Sequence, residues 1–247
     1  MEITALLRSG TSAAVAKRQL QIKELSEFQV KQFHFIWDVA TESGGHLALA
    51  LDRLTEVFRA QQRHFSELAI AFASPKATAN LILILPVIAV IFAELVGLSA
   101  LGASLGTVLG VISIGLGLLL LIVARISSLR MLEKAKPREA DPGAFLDAVA
   151  IGLSAGLSPK AAAALARTKS KQQFSQDVEA DQLTIFWDAV KVSEQSGIAL
   201  NGLLLARADT LRHRLFANHR SSLAKLSISL VIPLGLAALP AFVFLAV

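Results

Sequence analysis

The chain has 247 residues, 54% of them hydrophobic and only 17% charged, with a mean hydropathy of +0.59, where soluble domains carry about 25% charged residues. The deficit is local: residues 77–124 hold one charge, Glu94, residues 226–247 hold none, and the remainder is charged at an ordinary soluble level. The absence of cysteine excludes disulfides, thiolate metal sites and cysteine nucleophiles, and the two charge-poor blocks argue against a free cytosolic enzyme.

In chain order, Met1 to Gly10 contains no apolar run of signal-peptide length. Ser12 can cap a helix that follows it. Gly44-Gly45 reads as a helix stop. A long amphipathic helix is expected over 46–73, with Leu47, Leu51, Leu54, Phe58, Phe65, Leu68 and Phe72 on one stripe. Arg53, Arg59, Arg63 and Glu67 fall outside that stripe. A membrane-spanning helix needs about 20 mostly apolar residues. Residues 77–98 and 101–124 meet that length, with only Ser99-Ala100 between them, and read as a hairpin across the bilayer. Residues 133–142 (EKAKPREADP) read as a linker. Ser158-Pro159 pairs an N-cap with proline at the first helical position. Residues 168–182 form a polar loop, Ser196-Gly197 a second helix stop, and Leu200, Leu204, Leu211 and Leu215 a second apolar stripe. Residues 226–247 are the third span candidate. Pro86, Pro233 and Pro240 lie inside spans, where proline is tolerated as a kink.

The expected fold is therefore all-α. It has a cytoplasmic helical bundle over 1–76, a transmembrane hairpin over 77–124, a linker and second cytoplasmic bundle over 125–225, and a third span over 226–247. Basic residues set the orientation. Arg125, Arg130, Lys134, Lys136 and Arg138 follow the second span, Lys76 flanks the first, and Arg220 and Lys225 precede the third. Both soluble regions are expected in the cytoplasm and the C-terminus outside. The net charge of +5 then reads as an orientation or anionic-lipid signal, not a nucleic-acid one. Gly102, Gly106 and Gly110 recur every fourth residue, which would place a small-residue packing strip on the second span. Frequent glycine in membrane helices explains the same pattern. Glu94 is the sole ionisable group within a span and reads as interfacial, lacking an intramembrane partner for an ion site.

The chain also resembles itself. LLRSGTSAAVA (6–16) resembles GLSAGLSPKAA (152–162), and Phe35-Ile36-Trp37-Asp38 resembles Ile185-Phe186-Trp187-Asp188. Glu42-Ser43-Gly44 resembles Gln195-Ser196-Gly197, and Phe58-Arg59 matches Leu211-Arg212. The only two tryptophans fall in this repeat. Trp37, Asp38, Gly44, Trp187, Asp188 and Gly197 are thus the repeat's marked positions. They serve either as bundle-core anchors or as a recognition spot for a partner.

Motifs for chemistry are missing. There is no phosphate-cradling G-x-x-x-x-G-K-[ST], no H-E-x-x-H and no G-x-S-x-G. The five histidines are scattered. No catalytic residue, cofactor or metal is expected, and an enzymatic role is not.

The segments GLSAGLSPKAAAALA, FWDAVKVSEQSGIALNGLLLARADTLRHR and SLAKLSISLVIPLGLAALPAFVFL resemble the type II secretion system F domain in its TadC-like form. LRSGTSAAVA, FIWDVATESGGHLALALDRLTEVFRAQ and ASPKATANLILILPVIAVIFAELVGLSALGASLGTVLG resemble the TadB-like form. The resemblance implies a multi-pass protein of the cytoplasmic (inner) membrane. It would be the platform of a Tad or type IV pilus-like machine, coupling a hexameric cytoplasmic motor ATPase to pilin assembly. Further implied partners are pilin subunits, the lipid bilayer, and a second copy or a second platform subunit. The chain looks like the two halves fused, without the extra leading spans of TadB-like proteins. Two other classes fit the architecture: a small-molecule transporter or permease component, and a general membrane scaffold. A transporter would have to rely on Glu94 and hydroxyls such as Ser104, Thr107, Ser113, Ser227 and Ser229 at membrane depth.

Overall fold

The computed structural model describes residues 26–97, 106–134, 139–175 and 177–246, the side chains of 74–76, 86, 93 and 227–246 not among them. Every described element is helical. The helices are α1 (Glu27–Glu42), α2 (Leu47–Leu95), α3 (Val108–Lys134), α4 (Ala144–Ser154), α5 (Pro159–Phe174), α6 (Ala180–Ser196) and α7 (Leu200–Ala246).

Local chemistry sets the boundaries. Ser26 caps α1: its hydroxyl accepts from the Gln29 amide at 3.2 Å, and the Gln29 side chain accepts from the Ser26 amide at 3.2 Å. This reciprocal pair satisfies two amides that the helix start would otherwise leave unbonded. Ser158 caps α5 through the Ala161 amide at 3.3 Å, with proline in the first turn, as its sequence predicts. Gly44 at φ +72° and Gly197 at φ +71° end α1 and α6 in the left-handed conformation that glycine adopts without penalty. Each is followed three residues later by the first residue of the next helix, Leu47 or Leu200. The two marked glycines therefore make the same corner. Ser12 lies outside the described residues.

The chain divides into two compact units. The first contains residues 26–64 and 139–217. Here the expectation of two separate bundles is corrected. Phe33, Phe35, Ile36 and Trp37 from the first copy share one core with Phe145, Leu146, Val149, Ala162, Phe186 and Leu204 from the second. The reason is geometric. The apolar residues of α1 cover most of its circumference, and α4 and α5 of the second copy pack against it. In return, α4 is buried along nearly its whole length, as an apolar all-round helix must be. Gly152 lets α5 come close: a Cβ there would sit 3.0 Å from the Ala162 Cβ.

The second unit contains residues 65–134 and 218–246 among those described. Leu68 and Ala79 of α2, Ala124 of α3, and Leu223 and Leu226 of α7 form its apolar contact. Above this contact Ile84, Ile88, Phe92, Leu109, Ile112, Leu119 and Ile122 are exposed. α2 and α3 are long and apolar enough to cross a membrane, and rings of exposed aliphatic side chains suit a lipid environment.

Several expected boundaries shift. The helix expected to end at 73 and the span expected from 77 are one helix, α2, which runs on through Pro75 and Pro86. α2 ends at Leu95, with Gly97 at φ +85°, and α3 starts at Val108. Ser99-Ala100, the expected turn, lies outside the described residues. The start of α3 is set by Thr107, whose hydroxyl accepts from the Gly110 amide at 3.2 Å. Gly106 consequently lies in the preceding turn, exposed, and does not continue a helical strip with Gly110. Gly102 falls outside the described residues. The buried side of α3 is Gly110, Gly117, Leu121, Ala124 and Ser128. α3 also runs past Ala124 to Lys134, through good helix formers and up to the region before Pro137, where a helix is disfavoured. For the third span, the backbone of α7 stays helical to Ala246. The side chains of Pro233, Pro240 and Pro86 lie outside the described set.

Candidate functional site

The marked Trp-Asp pairs occupy different environments. Trp37 is buried, 4% exposed, with its ring 5.5 Å from that of Phe33. Asp38 accepts from Gln173 Nε2 of α5 at 3.0 Å. Trp187 is 48% exposed, and Phe186 beside it takes the fully buried place, 6.3 Å edge-on from Phe145. Asp188 is exposed. The expectation that Trp187 anchors a core is thus corrected among the described residues. α1 is covered by both α4 and α5, whereas α6 packs mainly on α4. One covered stripe on α6 has room for Phe186 or Trp187, not both.

The chemistry of the first unit is concentrated in a charge cluster that sequence reasoning missed. Arg212 on α7 is 5% exposed. Its Nε donates to Asp141 Oδ1 at 2.8 Å and its Nη2 to Asp141 Oδ2 at 2.9 Å, a two-pronged pairing. Nη2 also reaches Asp147 Oδ2 at 2.5 Å, and Nη1 reaches Asp209 Oδ1 at 3.3 Å. Arg53 on α2 closes the ring from the other side. It donates to Asp147 Oδ1 at 3.2 Å and to Asp209 Oδ1 at 2.5 Å. Gln32 of α1 donates to Asp141 Oδ2, and the Gly143 amide donates to Asp141 Oδ1 at 2.9 Å. Two arginines thus meet three aspartates at the junction of α1, α2, α4 and α7.

Burial pushes the Asp147 carboxyl upward, and the nearby Arg212 and Arg53 guanidinium groups pull it back. Burial also pulls Arg212 downward, but Asp141 and Asp147 more than reverse this and hold it above the ordinary arginine range. Such a cluster costs desolvation and tolerates no missing member. Gly143 is required by its geometry, since a Cβ there would lie 2.8 Å from the Ala208 carbonyl oxygen and 2.8 Å from Arg212 Cζ.

Two sequence expectations change here. Arg53, expected outside the apolar stripe of α2, turns into the cluster. Asp141, placed in a linker, has a side chain with no exposure. The legible signal was Asp147, the only acid in the otherwise apolar run AFLDAVAIGL. In the cluster every carboxylate is answered by a guanidinium. Among the described residues no group of three or more metal-ligating side chains is placed to hold a metal ion. His64, buried, stacks on Phe216 with ring centroids 3.9 Å apart. Glu94 sits in the last turn of α2.

A groove of about 780 Å³ opens beside the cluster. Phe28, Phe35, Phe145 and Phe174 line it together with Glu27, Glu139 and Glu179.

The fold defines an all-α protein with two helices of membrane-spanning length and composition. Residues 1–93 match the family model described as Type II secretion system (T2SS), protein F. The match spans residues 1–93 of the 247 in the chain. Neither the curated proteins nor the solved structures gave a match.

Proposed function

We propose that this chain is the inner-membrane platform of a Tad or type IV pilus-like machine, binding a cytoplasmic motor ATPase and coupling it to pilin assembly. The protein F match over residues 1–93 carries this reading. The second half supports it through its repeat of the Trp-Asp and helix-corner pattern. The shared core adds a physical constraint. Residues before and after the segment 65–138 pack together, so the chain between them must cross a bilayer an even number of times. α2 and α3 supply two helices of the required length. With the flanking basic residues facing inward, the shared core lies in the cytoplasm, α7 forms the third span, and the C-terminus is outside. The protein performs no catalysis of its own in this reading. The charge cluster fixes the bundle against load. Co-purification from membranes with the cognate ATPase tests the proposal. Retention of the ATPase, together with loss of piliation or secretion on deletion, is expected. Intact piliation and secretion in the deletion strain would overturn it.

A further inference from the structure

α2 and α3 touch near the ends of their apolar runs, where Leu83 packs with Leu121. Beside that contact opens a pocket of about 370 Å³, lined by Asn80, Leu83, Ile84, Leu121 and Arg125. Its walls are aliphatic and its polar groups meet each other: Arg125 Nη1 donates to Asn80 Oδ1 at 2.5 Å. Arg53, Arg167, Arg212 and Arg220 each pair with a carboxylate. Among the described residues Arg125 meets this neutral amide instead. A guanidinium is a planar fork with several N–H donors, and the amide occupies one side of it. The rest of the fork is fixed in direction and keeps its full positive charge.

Exposed aliphatic residues set the depth of the pocket. On α2 they recur from Leu81, directly after Asn80, through Ile84 and Ile88. On α3 Leu119, Ile122 and Val123 precede Arg125, and Arg130, Glu133 and Lys134 follow it, with Ile126 and Leu129 between. With α2 and α3 in a bilayer, Asn80 and Arg125 therefore lie where hydrocarbon gives way to headgroups. Basic pockets between spanning helices at this depth take lipid headgroups. We propose that this pocket binds an anionic phospholipid, its phosphate on Arg125 and one acyl chain along Leu83, Ile84 and Leu121. Asn80 is the positioning residue, holding the guanidinium toward the phosphate. Phosphate suits the fork because two oxygens can accept from it side by side. The basic excess after the span favours an anionic headgroup over a zwitterionic one, whose ammonium it repels. A free phosphate ion would answer the charge but leave the aliphatic walls uncovered. The inference rests on the membrane reading of α2 and α3 in the proposed function and needs neither the motor nor the pilin.

Native mass spectrometry of full-length protein in detergent, titrated with dioleoyl phosphatidylglycerol or dioleoyl phosphatidylcholine, tests it. The native chain should retain phosphatidylglycerol in preference to phosphatidylcholine. Arg125→Gln should weaken phosphatidylglycerol about fivefold, the share of one arginine at an anionic membrane surface. Arg130→Gln removes the same charge from the same helix outside the pocket and should weaken it far less. Ile84→Trp keeps every charge, narrows the pocket and should also weaken binding, which reads the site independently of how well the arginine variant folds. Unchanged affinity in Arg125→Gln or in Ile84→Trp would overturn the site. Equal losses in Arg125→Gln and Arg130→Gln would do the same, because diffuse surface charge would then suffice. Displacement of the lipid by equimolar inorganic phosphate or glycerol phosphate would make it a free-anion site and contradict the acyl contact. Alkaline carbonate extraction of membranes separates the two levels. A chain that stays in the membrane while these outcomes fail loses only the lipid site, and a chain that is extracted loses the membrane reading as well.

Discussion

Replacing Arg212 by methionine keeps the length of the side chain and removes its charge. In the native bundle this guanidinium answers two carboxylates whose side chains are 0% and 4% exposed, Asp141 and Asp147. Arg53 remains beside Asp147 at 3.2 Å, but Asp141 keeps only the Gln32 side chain and the Gly143 amide. One buried carboxylate is then left without a counter-charge, which costs about 3–5 kcal/mol when a buried pair is broken from one side. For a chain of this size that is a fall in Tm of roughly 6–20 °C. Adding Asp141→Asn removes the stranded charge. The double variant should therefore recover part of the loss, with a coupling of about 1–3 kcal/mol. Thermal unfolding of purified full-length protein in detergent, across the four members of the cycle, measures both quantities. A loss below about 1 kcal/mol for Arg212→Met, or strict additivity of the two changes, would refute the buried, mutually dependent cluster.

Gly143→Ala should destabilise the bundle by about 1–3 kcal/mol, because the added methyl meets the Ala208 carbonyl oxygen at 2.8 Å and backbone cannot yield cheaply; an unchanged Tm would contradict it. Gly44→Ala and Gly197→Ala should each cost about 1–2 kcal/mol. Nothing lies within 4 Å of either added Cβ, so the loss comes from the left-handed backbone alone, and unequal losses would show that the two corners are not equivalent. The Asp177 carboxyl, bonded by Arg167 at 2.6 and 2.7 Å, is held down at about 2. Because its folded value lies below the unfolded 3.8, the stabilisation is present above 3.8 and lost as pH falls through about 2. A carboxyl-resolved titration should show that low midpoint, and Arg167→Gln should return it toward 3.8; a native midpoint near 3.8 would contradict the pairing.

The helical class, the caps and the helix corners were legible because each depends on a few adjacent residues. Ser158-Pro159 and the two left-handed glycines needed nothing from the rest of the chain. The third dimension was harder to read. A single repeat unit suggests a self-contained bundle, and only the wide apolar face of α1 and the nearly all-round apolar surface of α4 hint that the copies bury each other. The same exchange explains the two tryptophans. The similar Phe-Ile-Trp-Asp and Ile-Phe-Trp-Asp patterns acquire different burial because different neighbours cover α1 and α6. The charge cluster was least visible. Its five charged members lie in α2, a stretch read as linker, α4 and α7, and no local pattern joins residues 53, 141, 147, 209 and 212. The hairpin position shifted because apolar composition marks the bilayer-length run but not the hydroxyl of Thr107 or the φ of Gly97 that set where helices stop and start.

The proposed function requires the core shared by residues 26–64 and 139–217 to lie in the cytoplasm. Reporter fusions read this directly, one joined near Pro137 and one after Val247, in cells expressing the full chain. A cytoplasmic signal is expected near Pro137 and an extracytoplasmic one after Val247. An extracytoplasmic signal near Pro137 would put the two halves of the core on opposite sides of the bilayer and contradict it.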